Sequence, residues 1–159
     1  MAFRVLDSSA FYAGIPFSSK EPSHITSLVY DEIKHIKKDH DAIPILIETK
    51  RLMVSDPEDK FTAAAKDAAK KSGDFPNLSQ EDISTIALSL QLEAELITDD
   101  FTVSNVAKNL SIKVIPVMTS GIKNVIIWKY YCPGCKTDFS KVTECPRCGN
   151  RLKRKPMKN

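Results

Sequence analysis

LITDDFTVSNVAKNLSIKVI, residues 96–115, is the stretch that decides the fold. Leu96-Ile97-Thr98 reads as a short strand that runs into Asp99-Asp100. Phe101, Val103, Val106, Ala107 and Leu110 then recur at helical spacing, and one of the two aspartates can cap that helix. Ile112-Lys113-Val114-Ile115 reads as a further strand before Pro116. Working outward, Phe3-Arg4-Val5-Leu6 is a short buried strand that ends at Asp7-Ser8-Ser9. A helix is expected over roughly residues 24–38, with Ile25, Leu28, Val29 and Ile36 as its apolar face. Ile43-Pro44-Ile45-Leu46-Ile47 is apolar but broken by proline, and reads as a short buried piece ahead of a turn at residues 48–51. Asp56-Pro57-Glu58-Asp59 starts an alanine-rich helix over residues 57–72, with Asp56 as its cap and Gly73 as its stop. Ser79-Gln80-Glu81-Asp82 opens another, with Ile83, Ile86, Ala87 and Leu90 as its stripe. Strand, three helices, strand, helix, strand is an α/β pattern with a parallel sheet flanked by helices.

Charge divides the chain. Residues 132–159 hold eight Lys/Arg against two Asp/Glu, whereas residues 1–131 hold fifteen against eighteen. An acidic body with a basic end suits a molecule that holds cations at one end and polyanions at the other; a lysine-rich tail kept for solubility is the plain alternative. The first ten residues lack the pattern of a signal peptide, and no apolar run approaches the ~18 residues of a membrane helix. A cytoplasmic location is expected.

The cysteines fall at 132, 135, 145 and 148, as Cys-Pro-Gly-Cys and Cys-Pro-Arg-Cys-Gly nine residues apart. Each pair can fold into a knuckle that offers two thiolates to one cation, and two knuckles close a tetrahedral zinc site with no open position. Disulfides suit a non-secreted chain poorly, while iron in the same ligand set is not excluded by spacing. The metal is expected to be structural, because about twenty residues cannot bury a core of their own. Trp128, Tyr130, Tyr131 and Phe139 interleave with Lys129, Lys136, Lys141 and Arg147, which suits RNA, although at least half of these aromatics are expected to pack the ribbon. The expected organisation is an α/β domain over residues 1–116, a linker over 117–127, the ribbon over 128–152 and a mobile basic tail over 153–159.

Four acids in the body sit where a metal site could form. Asp7 and Asp99/Asp100 follow strands, at the sheet edge where α/β proteins bind ligands. Glu32 falls in the middle of its helix's apolar stripe, a costly place for a glutamate without a partner or a cation. Asp82 lies three residues after Ser79, so a capping box explains it as well as a site does, and the two roles are compatible. Carboxylates that converge in a poorly solvated cleft need a cation, and Mg²⁺ or Mn²⁺ prefers oxygen ligands. His24, His35 and His40 are expected to lie at the surface, with His24 the best placed to contribute.

Residues 5–11, 29–33, 78–83 and 96–101, in that order and spacing, resemble the motifs of PIN-domain ribonucleases. Together with Cys132–Cys148, residues 1–150 resemble the compact, archaeal form of the Nob-type endonucleases of small-subunit ribosomal RNA maturation. The resemblance implies a PIN-like parallel sheet, and an acidic site on Asp7, Glu32, Asp82 and Asp100. Asp99 is an uncertain further ligand, and Ser9 and Thr98 are carboxylate-orienting neighbours. It implies Mn²⁺ or Mg²⁺ for catalysis and one structural Zn²⁺. It also implies cleavage of precursor small-subunit rRNA at its mature 3′ end on a pre-ribosomal particle, with the ribbon docking on RNA and assembly-factor proteins as candidate partners. Two other readings compete: a non-catalytic RNA-binding assembly factor, and the toxin branch of the PIN group, which usually lacks a ribbon.

Overall fold

A computed structural model describes residues 3–18, 20–34, 42–117, 127–139 and 144–156. Five strands form one parallel sheet: β1 (Arg4–Leu6), β2 (Ser23–Ile25), β3 (Leu52–Val54), β4 (Glu95–Ile97) and β5 (Val114–Ile115), in the spatial order β3-β2-β1-β4-β5. The order reverses beside β1. This opens a crevice at the carboxyl ends of β1 and β4, where such sheets receive ligands.

Alternation along the short strands divides the core into two layers. Val5 and Leu96 face α5 (Asp59–Ser72), α6 (Gln80–Leu92) and α7 (Phe101–Asn109), and pack with Ala65, Ile86, Val103 and Val106. Leu6 and Ile97 face α1 (Ser8–Tyr12), α3 (Ser27–Ile33) and α4 (Ala42–Glu48), and pack with Phe11, Val29, Ile33 and Leu46. A short helix α2 (Ile15–Ser18) completes this side of the chain path. Each buried Leu, Ile or Val contributes about 1.5–3 kcal/mol.

Several expectations are corrected. The helix expected from residue 24 begins at Ser27, because Ser23-His24-Ile25 pairs in parallel with both β1 and β3. His24 is therefore buried at 8% exposure, edge-on to Phe3, rather than on the surface. His35, His40 and Ile36 lie outside the described residues. Pro44 does not break its segment: it sits in the first turn of α4, where its missing N–H costs nothing. Asp56 does not cap α5, whose cap position is taken by Glu58. It accepts instead from the Ser27 amide and hydroxyl at 2.9 and 2.8 Å, and so holds the start of α3.

The C-terminal part is a second, antiparallel sheet of β7 (Asp138–Phe139), β6 (Trp128–Tyr131) and β8 (Lys153–Pro156), in that order. Residues 153–156, expected as a mobile tail, are thus a strand paired along the whole of β6. Repeated Lys and Arg hide a strand from composition, yet their stems can cover apolar surface while the charges stay in water. Met157 onward and the segment 118–126 lie outside the described residues.

Candidate functional site

Asp7 follows β1 directly, is 5% exposed, and caps α1. One of its oxygens accepts from Ser9 Oγ at 2.5 Å and from the Ala10 amide at 3.4 Å. The other accepts from the Thr98 hydroxyl, from the end of β4. Thr98 Oγ1 in turn receives the Asp100 amide at 3.0 Å, and Ser9 Oγ receives the Asp99 amide at 3.3 Å. The two strand ends are therefore laced together through the residues expected to orient the carboxylates.

The Asp99-Asp100 pair divides its work. Asp99 Oδ1 accepts from the Val117 amide at 2.7 Å, which fixes the chain after β5. Asp100 caps α7 through the Val103 amide at 3.0 Å, and its charge acts on both Asp7 and Asp82. Asp82 makes the full capping box with Ser79: its carboxylate accepts from the Ser79 amide at 2.9 Å, and its own amide donates to Ser79 Oγ at 3.1 Å. Asp82 thus caps α6 while lying within reach of the Asp100 charge.

Glu32 is exposed, not turned into the core. The apolar stripe used to place it included Ile25, which belongs to a strand; Val29 and Ile33 are the buried positions of α3. Glu32 instead lies at the rim, where the charges of Glu81, Asp82 and Asp7 reach it and Ser8 hydrogen-bonds it. Sequence reasoning passed over Ser8 and Glu81. Their positions next to Asp7 and Asp82 were the available signal.

Burial first, and the neighbouring carboxylates after it, raise Asp7, Glu32 and Asp82 above the ordinary carboxylate values of 3.8 and 4.5. Hydrogen bonds from Ser9, Thr98 and Ala10 oppose this at Asp7, as Ser79 does at Asp82. These are oxygen donors whose charges act on one another, the chemistry a hard divalent cation prefers, but among the described residues only the four cysteines bring their ligand atoms close enough together to hold an ion as they stand.

The ribbon gathers its ligands more tightly. The four Sγ atoms all lie within 4.8 Å of one another, and all four cysteines are free thiols. Cys135 and Cys145 sulfurs stand 3.7 Å apart, far beyond the ~2.05 Å of a disulfide. The knuckles repeat each other bond for bond. Cys135 N reaches Cys132 Sγ at 3.5 Å as Cys148 N reaches Cys145 Sγ at 3.4 Å. Lys136 N reaches Cys132 O at 2.9 Å as Gly149 N reaches Cys145 O at 2.8 Å, with both residues at positive φ, 63° and 70°. Contact with Thr137 draws the Cys135 thiol down to about 6, while the hydrogen bond with Cys135, and burial after it, push Cys148 up to about 12. Four sulfurs that cannot all ionise side by side fit a cation that neutralises them together. Of the aromatics, Tyr130 is buried and Phe139 packs against the ribbon's core, whereas Trp128 and Tyr131 lie beneath Arg154 and Lys155. Among the described residues, no helix is long and apolar enough to cross a membrane.

The family described as "PIN domain of ribonuclease" matches residues 5–92. The chain is 35% identical to "Endoribonuclease Nob1" of Pyrococcus abyssi over 97% of its own length and 94% of that protein's. It is 33% identical to the protein of the same name from Methanocaldococcus jannaschii, over 100% of this chain and 80% of that one. "Ribonuclease VapC1" of Thermoplasma acidophilum is 36% identical but matches only 65% of this chain and 54% of its own.

Proposed function

The chain belongs to the PIN-domain ribonucleases, in the family of the archaeal Nob1 endoribonucleases, and is an endoribonuclease; from that premise we propose that it cuts precursor small-subunit rRNA to leave the mature 3′ end. The observation that carries this reading is the reach of the similarity. The similarity to the Nob1 relatives runs over 97–100% of the chain, body and ribbon together, whereas the VapC1 match covers 65% of it. In this reading the work is done in the cytoplasm on a pre-ribosomal particle, beside assembly-factor proteins.

Asp7, Glu32, Asp82 and Asp100 would hold Mn²⁺ or Mg²⁺, with Asp99 a structural neighbour that fixes Val117. Such an ion, when bound, polarises a phosphoryl oxygen and lowers the pKa of a bound water. Ser9, Thr98 and the Ala10 amide hold the Asp7 carboxylate in one orientation, which spares reorganisation on the way to the transition state. Cys132, Cys135, Cys145 and Cys148 would hold one structural Zn²⁺ that shapes the ribbon for RNA.

The test is cleavage of a precursor RNA spanning the rRNA 3′ end, with Mn²⁺ and with chelator. Cutting at one defined site is expected with Mn²⁺ only. Asp7→Asn should lower it by roughly 10²-fold or more while RNA binding persists. Undiminished cutting by that variant refutes the site; metal-dependent binding without any cutting by the native chain favours the assembly-factor reading.

A further inference from the structure

Ser72, Gly73 and Asp74 close α5 and take no part in the acidic crevice. Gly73 has φ 83° and lies so close to the ribbon that a Cβ on it would come within 2.2 Å of the Trp128 carbonyl oxygen. Its own carbonyl accepts from the Tyr130 hydroxyl. Asp74 is 0% exposed. Its Oδ2 accepts from Ser72 Oγ at 2.8 Å and from Asn105 Nδ2 at 2.6 Å, which ties it to α5 and α7. Its Oδ1 makes no hydrogen bond and turns to the ribbon, where Arg154 Nη1 stands 3.9 Å away. The Trp128 indole nitrogen is likewise buried without a hydrogen bond; burial raises the Asp74 carboxyl, and the neighbouring Asn105, Ser72, Arg154 and Trp128 oppose that rise. The Arg154 guanidinium covers the Trp128 ring at 4.3 Å.

A buried carboxylate is costly unless a cation accompanies it. Ser72 and Asn105 both donate to one oxygen, a task that an asparagine would perform equally well. The second oxygen is of use only to β6 and β8. We propose that Asp74 is a positioning residue: by holding Arg154 and the Trp128–Tyr131 strand against the end of α5, it fixes the ribbon relative to the acidic crevice, so that RNA gripped by the ribbon is cut at a single phosphodiester. The docking half of this inference stands on the contacts alone; the cut-site half rests on the endonuclease reading above.

Trp128 is the chain's single tryptophan, so its emission reports docking directly. Two variants of the full zinc-loaded chain separate charge from contact. Asp74→Asn keeps an acceptor for Ser72 and Asn105 but removes the charge that faces Arg154. Tyr130→Phe removes the bond to Gly73 without altering any charge, so it cannot weaken RNA binding through a lost cation. Both should retain zinc and shift Trp128 emission to the red. With Mn²⁺ and precursor RNA, both should replace one product end by several adjacent ones, with the single-turnover rate at saturating RNA unchanged. Unshifted emission in both variants overturns the docking latch. Shifted emission with one sharp product end overturns the positioning role. A native chain that cuts nothing refutes the endonuclease reading, while the emission arm still decides the latch.

Discussion

In the nuclease body, Asp7 is gripped by Ser9, Thr98 and the Ala10 amide at the ends of two strands, within a sheet whose two faces are covered by apolar layers. In the ribbon, the buried set is Tyr130, Cys132, Cys145 and Leu152, half of which belong to the four-cysteine cluster. The body therefore builds its negative charges into a scaffold that stands without them, and burial in that scaffold disfavours their ionised form. The ribbon has almost nothing else to fold around. On the proposed reading, one region would make a metal site because it is folded, and the other would fold because it makes a metal site.

The sharpest way to break that contrast is to remove one sulfur. Cys145→Ser should abolish zinc retention and unfold residues 128–156, since a structural zinc site contributes an apparent ~10–16 kcal/mol to folding. The body should keep its cooperative thermal transition, and RNA affinity should fall. Zinc stoichiometry and amide exchange across the two regions would check it. Collapse of the body as well, or a ribbon that keeps its exchange protection without metal, would show that the two regions do not differ in this way.

A smaller effect, of opposite sign, is expected in the body. Asp7, Glu32 and Asp82 have raised values in the folded state, chiefly through burial, so the native protein holds protons that the unfolded chain has released. Their contribution to the stability of the cation-free protein is fully present below the ordinary values of 3.8 and 4.5, and is lost as pH rises through the raised values. Glu32 is exposed and screened by solvent, so of these three Asp7 and Asp82 should dominate, with buried Asp74 adding a background of the same sign. Melting temperature measured against pH should fall across this window without divalent ions. Saturating Mn²⁺ should flatten or reverse the fall, because the ion binds the ionised carboxylates. A cation-free melting temperature that climbs with pH, with the same slope in an Asp7→Asn, Asp82→Asn double variant, would remove the opposition between site and scaffold.

The two regions were also legible to different degrees. Cysteine spacing disclosed the ribbon because ligand chemistry is written locally, in four residues. The carboxylates are far apart in sequence, and only their strand-end positions marked Asp7 and Asp100. The three-residue strand Ser23–Ile25 was hidden by its polar first positions, and it brought a buried His24 with it. Taking Ile25 as helical misplaced Glu32 towards the core, although two of its neighbours, Asp7 and Asp82, were named with it. A proline masked α4, and a Lys/Arg run masked β8. In each miss, tertiary pairing overrode a composition that looked irregular by itself. The Asp74 latch left no local signal, since its partner lies at the other end of the chain.

The finest test uses the ribbon's internal repeat. Lys136 occupies, after the first knuckle, the place that Gly149 occupies after the second, with φ 63° against 70°. Left-handed backbone costs a residue with a Cβ about 1–2 kcal/mol. Glycine removes that cost but loses about 0.5–1 kcal/mol through the greater freedom of the unfolded chain. Lys136→Gly should therefore stabilise the zinc-loaded ribbon slightly, by about 0.5 kcal/mol, and leave the body's transition unmoved. A lysine at a strained position offers its charge to a ligand. If Lys136 meets an RNA phosphate, the same variant should weaken binding and reduce the salt dependence of affinity by about one unit of log–log slope. A ribbon destabilised by the change would mean that the two knuckles are alike in hydrogen bonds but not in strain; an unchanged salt slope would leave Lys136 outside the RNA contact.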